Sequence, residues 1–297
     1  MDLKKVLVLG AASWNRMIYV PDLPQGQSAT VFDAREIEGV GSTGVGKAMA
    51  LAALGCGPVL HCTLGRDQHG QLVRSACEAR DIALVVDEHD APTPHHVNIM
   101  DQKGGRYSLF VSNGPPDPEI DEPRIAQTIQ AADTIFVSLS VSSKKLLHLL
   151  QGVEAEVLLD LHDYDGQNPW YDDFIGCADV LQLSDVALAD PLPIIERLLA
   201  GRAQQVVLTK ADKGAQIHTT EGVAVVPAYP AHLRDSNGAG DAFSVALWYA
   251  QSIGFDLRKA VRFAAAAAAF AVESNALFPD DVSIEDIMRR ASIEPSA

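Results

Sequence analysis

Apolar and polar positions sort the chain into short buried runs separated by longer mixed stretches. Residues 5–9 form a nearly unbroken apolar run closed by Gly10, the pattern of a strand covered on both faces. Residues 59–63, 134–139, 157–161, 180–183 and 206–208 read the same way. Helices are expected over residues 44–54, 70–79, 123–131, 143–150, 172–177, 192–199 and 242–252, the first of them stopped by Gly55 and Gly57. Strands and helices thus alternate, which predicts right-handed βαβ units around a mainly parallel sheet with helices on both faces.

Two regions depart from that alternation. Residues 15–38 alternate weakly, with Thr30-Val31-Phe32 among the apolar positions, and carry Pro21 and Pro24, so they suggest short exposed strands. Residues 82–86, 97–101 and 107–111 also read as strands, and the last two flank Lys103-Gly104-Gly105, a hairpin signal. The segments at about 12–38 and 95–111 are therefore expected to form a small β-lid. No linker of disordered composition and no internal repeat is visible, so residues 1–297 are expected to make a single domain.

Charge narrows the partners. The net charge of −16, from 39 acidic against 23 basic side chains, sets a field that repels nucleic acids and anionic membranes. No run reaches the about 18 apolar residues of a membrane helix, and the start of the chain lacks a signal-peptide pattern. Cys56, Cys62, Cys77 and Cys177 show no C-x-x-C spacing, and we read them as buried free thiols of a cytoplasmic protein.

The chemistry concentrates at Asp235-Ser236-Asn237-Gly238-Ala239-Gly240-Asp241, just before a helical stretch. Small side chains there let the amides of a helix N-terminus face an anion. A carboxylate beside an anion cradle needs a reason, and a base that takes a proton from a hydroxyl during phosphoryl transfer supplies one. The bland reading is a Gly-rich turn whose Asp241 merely favours the helix dipole. A second Gly-rich segment, Gly41 to Ala48, matches the P-loop core, but Ala48 stands where Ser or Thr would hold magnesium, and no buried strand precedes it.

Taken together, these segments resemble the ribokinase-like (PfkB) family of carbohydrate kinases over nearly the whole chain. Asp235, Gly238, Ala239, Gly240, Asp241 and Phe243 match the family signature D-T-x-G-A-G-D-x-F, with Ser236 for Thr. Gly41–Ala48 with Leu54-Gly55, the segment from Leu64 to Gly70, Pro92-Thr93, and the segment from Val207 to Ala215 are similar to further family motifs, in family order. The resemblance implies an α/β, ribokinase-like three-layer αβα fold with a mainly parallel central sheet and a small β-lid. It implies Asp241 as catalytic base and the amides of Gly238, Ala239 and Gly240 as the anion hole. Thr209, Gly214, Asn237 and Asn275 would lie along the nucleotide, and Asn15, Gly41 and Ser42 would face the acceptor. ATP with Mg2+ is the implied phosphoryl donor, and a sugar or nucleoside hydroxyl the implied acceptor.

Departures from the pattern fall on the acceptor and magnesium sides. Asn15 stands where the family has Asp, Ser42 replaces a glycine and Gly46 an asparagine. The N-x-x-E segment appears as Ser184-Asp185-Val186-Ala187, and Ala211 replaces a glycine of T-x-G-x-x-G. The sequence thus names no metal ligands. Asp160, His162, Asp163 and Asp165 follow a buried strand and could face magnesium, the acceptor or solvent. Of His95 and His96, strand alternation lets at most one reach a ligand. Lys103 and Arg106 flank the lid hairpin, where they could meet a phosphate or merely face water, Trp170 and Tyr171 are expected to pack, and Lys47 could lean toward a bound anion but is expected on a helix surface. A nucleoside kinase and a non-catalytic sugar- or nucleotide-binding protein remain alternatives. A homodimer through the exposed lid strands is a further expectation.

Overall fold

A computed structural model describes residues 4–102 and 105–294. The chain enters through β1 (Val6–Leu9), and lid strands β2 (Ser13–Tyr19) and β3 (Arg35–Gly41) lead into α1 (Thr43–Ala53). Then come β4 (Val59–Gly65), α2 (Gln68–Glu78) and β5 (Ala83–His89), followed by lid strands β6 (His95–Met100) and β7 (Arg106–Ser112). The second half runs α3 (Glu122–Ala131), β8 (Thr134–Val137), α4 (Val141–Leu146), β9 (Glu156–Asp160), α5 (Asp172–Ile175) and β10 (Val180–Ser184). It continues through α6 (Leu192–Leu199), β11 (Gln205–Thr209), β12 (Ala215–Thr219) and β13 (Gly222–Val226), and ends with α7 (Ala239–Ser252), α8 (Leu257–Val272) and α9 (Ile284–Arg290).

Nine strands form one sheet in the order β13-β12-β11-β10-β9-β8-β1-β4-β5, parallel except at β12 and β13. Its side chains divide cleanly between two cores. Val6 and Val8 of β1 join the helices α1, α7, α8 and α9 on one face, while Leu7 and Leu9 join α3, α4 and α6 on the other. That division is why the strands read as continuous apolar runs, and it makes the three αβα layers. The mainly parallel sheet between two helical layers is the expected architecture.

The lid is a separate four-stranded sheet, β3-β2-β6-β7. β6 and β7 pair antiparallel, as the hairpin signal implied, although Lys103 and Gly104 of that signal lie outside the described residues. Three differences from expectation have local causes. β3 begins at Arg35 rather than around Thr30, because Arg35, Glu36 and Glu38 lie on an exposed strand that reads as polar. The sequence reading did not mark β12 and β13, which form the antiparallel edge and leave Val223 and Val225 in solvent. α7 starts three residues earlier than 242, because Ala239 and Gly240 are in the helix and not in the turn before it.

β1 sits at the topological switch: the chain goes from β1 out to β4 and β5, then crosses back to β8 on the other side. Ligands of open α/β sheets bind where such a reversal leaves a crevice at the carboxyl ends. Gly10 closes β1 against α1, and a Cβ there would lie 2.6 Å from Gly44 Cα. Among the described residues, no helix is long and apolar enough to cross a membrane.

Candidate active site

Above that switch point lies a cavity of about 920 Å3, walled by the carboxyl ends of the strands, by the start of α7 and by the lid. Asn15, Gly41, Ser42, Asn237, Gly238, Asp241 and Asn275 all line it. These positions fall in four segments, at 15, 41–42, 237–241 and 275, which the fold brings together. Thr209 and Gly214 are not in the lining. Thr209 ends β11 with its hydroxyl donating to Leu183 O at 3.3 Å, and Gly214, at φ 93°, packs where a Cβ would meet Val226 O at 2.0 Å.

The 235–241 turn is built by its own polar groups. Asp235 Oδ1 accepts from the Asn237 backbone N–H at 2.8 Å and from its Nδ2 at 2.7 Å. Gly238 is the N-cap of α7 at φ 83°, and a Cβ there would meet Leu277 O at 2.2 Å, so only glycine fits. The N–H groups of Ala239, Gly240 and Asp241 belong to the first helical turn, where no intrahelical acceptor exists. They lie at the N-terminal end of a 14-residue helix, where free donors and the helix dipole favour an anion. Burial lifts the Asp235 carboxyl above its usual range, against hydrogen bonds from Asn237 and Tyr19.

Asp241 is buried at the mouth of this turn. Gly46 of α1 leaves its place open, since a Cβ at 46 would lie 2.4 Å from Asp241 Oδ2. Lys47, expected on a helix surface, is instead fully buried beneath the cavity and donates to Asp241 Oδ1. The correction has a simple cause: α1 is enclosed by apolar and small residues on nearly every face, from Gly44 to Leu51. The run Gly-Val-Gly-Lys-Ala-Met-Ala-Leu carries that signal, a lone charge among buried-type neighbours.

Asp160, at the end of β9, is also buried; Gln182 Nε2 donates to it at 3.2 Å and to Gly240 O at 3.0 Å. His162 and Asp163 line the cavity, while Asp165 instead caps an exposed turn by accepting from Gln167 and Asn168 N–H. Trp170 and Tyr171 pack with Phe174 and Tyr164, as expected.

At the positions expected to face an acceptor, Asn15 Oδ1 accepts from Ser13 Oγ at 2.8 Å and from His96 N–H at 3.3 Å. A Cβ at Gly41 would lie 1.8 Å from Asn15 Nδ2, so the glycine is what admits the amide. Ser42 is held at φ 73°, a conformation natural to glycine, with its hydroxyl 2.8 Å from Ser13 Oγ. Of the two lid histidines, His96 reaches the cavity beside Phe110, and burial pushes its imidazole down to about 4, so it is neutral at physiological pH. His95 turns away to Trp14 O and stacks on His69.

The lid also touches the turn directly, which the sequence did not reveal. Tyr19 Oη donates to Asp235 Oδ2 at 3.1 Å, and Arg106 donates to Asn237 Oδ1 at 2.6 Å. These contacts span 216 and 131 residues of sequence.

Comparison with known proteins decides the family. The model of the pfkB family carbohydrate kinases matches residues 4–277. The chain belongs to the PfkB family of carbohydrate kinases. Among its relatives, the acarbose 7(IV)-phosphotransferase of Actinoplanes sp. is 31% identical over 279 residues, covering 90% of this chain and 91% of the relative. The structure of a microbiome-derived acarbose kinase superposes on this kinase with a TM-score of 0.86 at 27% identity, over 98% of this chain and 100% of that one. A ribokinase from Arabidopsis thaliana, complexed with ribose and ATP, shares the fold with a TM-score of 0.80 at 19% identity, over 98% and 99% of the two chains. The chain is therefore an ATP-dependent carbohydrate kinase.

Proposed function

We propose that this kinase transfers the γ-phosphoryl group of ATP to a hydroxyl of a sugar or sugar-like acceptor held in the 920 Å3 cavity. The observation that carries the proposal is the position of Asp241, a buried carboxylate that lines the acceptor cavity within the amide-bearing first turn of α7. In the step proposed, the acceptor oxygen forms its bond to phosphorus as the bond to the departing ADP oxygen breaks. Asp241 takes the hydroxyl proton, and the amides of Gly238, Ala239 and Gly240 face the charge on the transferring group. Asn15, Gly41 and Ser42 would orient the acceptor, and Thr209, Gly214, Asn237 and Asn275 the nucleotide. The lid would keep out water that competes with the acceptor.

Magnesium fits as an ion carried mainly by the phosphates, because no cluster of three or more His, Cys, Asp or Glu suited to a metal exists among the described residues. When bound, it would supply neutralisation of phosphate charge. The four cysteines, all buried and free, fit the cytoplasmic setting we propose. We also propose that a second copy of the chain covers the outer face of edge strand β7, where Tyr107, Leu109 and Val111 are exposed.

The acarbose 7(IV)-phosphotransferase relative makes acarbose a candidate acceptor, and the ribokinases make ribose another. One observation favours the nucleoside alternative: Trp14, His96 and Phe110 line the cavity and could embrace a base. Acceptor-dependent ADP formation, assayed with acarbose, ribose and inosine, separates the readings. We expect acarbose or ribose to raise the rate at least about tenfold over the acceptor-free rate. Stimulation by inosine alone would favour the nucleoside reading, and no stimulation by any would favour a binding protein.

A further inference from the structure

Lys47 has no part in the transfer step proposed above, yet its burial is costly. Its side chain is 1% exposed, and a buried ammonium persists only against opposite charge. α1 brings its Nζ onto Asp241 Oδ1 and within 3.6 Å of Asp160 Oδ2. Gln182 then links Asp160 to Gly240 O, so one amine, two carboxylates and the turn form a single buried network.

The charges in that network are interdependent. The Asp241 carboxyl stands above its usual range: burial pushes it up, Lys47 pulls it part of the way down, and Asp160 pushes it up again. Burial also works against ionisation of Asp160, but His162 and Lys47 outweigh it and hold that carboxyl below its usual range. Burial works against the charge on Lys47, but Asp241 and Asp160 outweigh it and hold the amine above its usual range. Among the described residues, the other charged or titratable groups that line the same cavity are His162 and Asp163 beyond β9, Asp235 in the turn, and Glu38, Arg80, Arg106 and neutral His96 on the remaining walls. Two neighbouring carboxylates taken out of water cannot both stay ionised without a cation, so the amine decides whether a base exists.

We propose that Lys47 is a positioning residue that keeps Asp241 ionised and fixes its orientation for proton abstraction. The inference rests on Asp241 being the base of the proposed reaction. It explains why the helix tolerates a buried lysine beside Gly46: the glycine makes room for the carboxylate, and the lysine holds its charge.

Infrared titration of the acceptor-free protein tests this without turnover. Lys47→Met and Lys47→Gln should each show a protonated-carboxyl band at about pH 7 that wild type lacks and that Asp241→Asn removes from either variant. Lys47→Gln keeps a hydrogen-bond donor and covers the case in which Lys47→Met does not fold. In the pH–rate profile, a base works only when ionised, so activity falls as pH drops through its pKa. Losing Lys47 raises that pKa, and the acid limb should move to higher pH by about one unit or more. A folded variant with no new band and an unmoved acid limb would overturn the role of Lys47 while leaving Asp241 as base. Full turnover by Asp241→Asn alone would instead overturn the base, and this inference with it.

Discussion

Gly46 illustrates how one missing side chain can define a site. The family pattern has an asparagine at this position, and the sequence alone shows only a lost polar partner. The structure shows the reason, because any Cβ at 46 would press within 2.4 Å of Asp241 Oδ2. Gly46→Ala should therefore lower kcat by about tenfold to a hundredfold through a displaced carboxylate. Because alanine improves helix propensity by about 1 kcal/mol, the thermal midpoint should move much less than activity does. Unchanged kcat in a folded Gly46→Ala protein would show that Asp241 tolerates displacement. At the same scale, Asp241 and the glycines around it were legible in the sequence, since small residues and a carboxylate before a helix carry their chemistry locally. Lys47 was not: its meaning depends on Asp160 and Asp241, which are distant in sequence and meet it only in the fold.

Elements with both faces covered were the readable ones. β1, β8, β9, β10 and β11 bury side chains in two cores, so each announces itself as an apolar run. The lid strands are half exposed, and β7 is exposed at nearly every position, so periodicity placed the lid but not its full edges. Pattern also could not show what the lid grips. Tyr19 and Arg106 join β2 and β7 to the 235–241 turn through Asp235 and Asn237, so lid position and turn geometry are coupled. Arg106→Ala removes the link from β7 and should let water into the site. The ratio of acceptor-independent ATP hydrolysis to acceptor phosphorylation should rise about threefold or more, read from ADP formed with and without acceptor. An unchanged ratio would mean that the lid excludes water without this contact.

For the whole molecule, the alternation of elements and five motif segments in order pointed to one fold and to a carbohydrate kinase, with a nucleoside kinase and a binding protein as alternatives. The fold and the family follow that reading. The acceptor stayed illegible because its cavity is assembled from lid, switch point and turn, with Asn15, Ser42 and His96 shaped by neighbours far away in sequence. With a net charge of −16, the proposed reaction would rely on local donors such as the amides of α7 to receive an anionic nucleotide against the field of the whole chain. All these parts converge on a single carboxylate. The most direct test is turnover by Asp241→Asn with ATP, magnesium and the preferred acceptor, alongside nucleotide binding. The account predicts a loss of kcat of about a thousandfold or more with nucleotide affinity kept within about threefold. Turnover within about tenfold of wild type would contradict it.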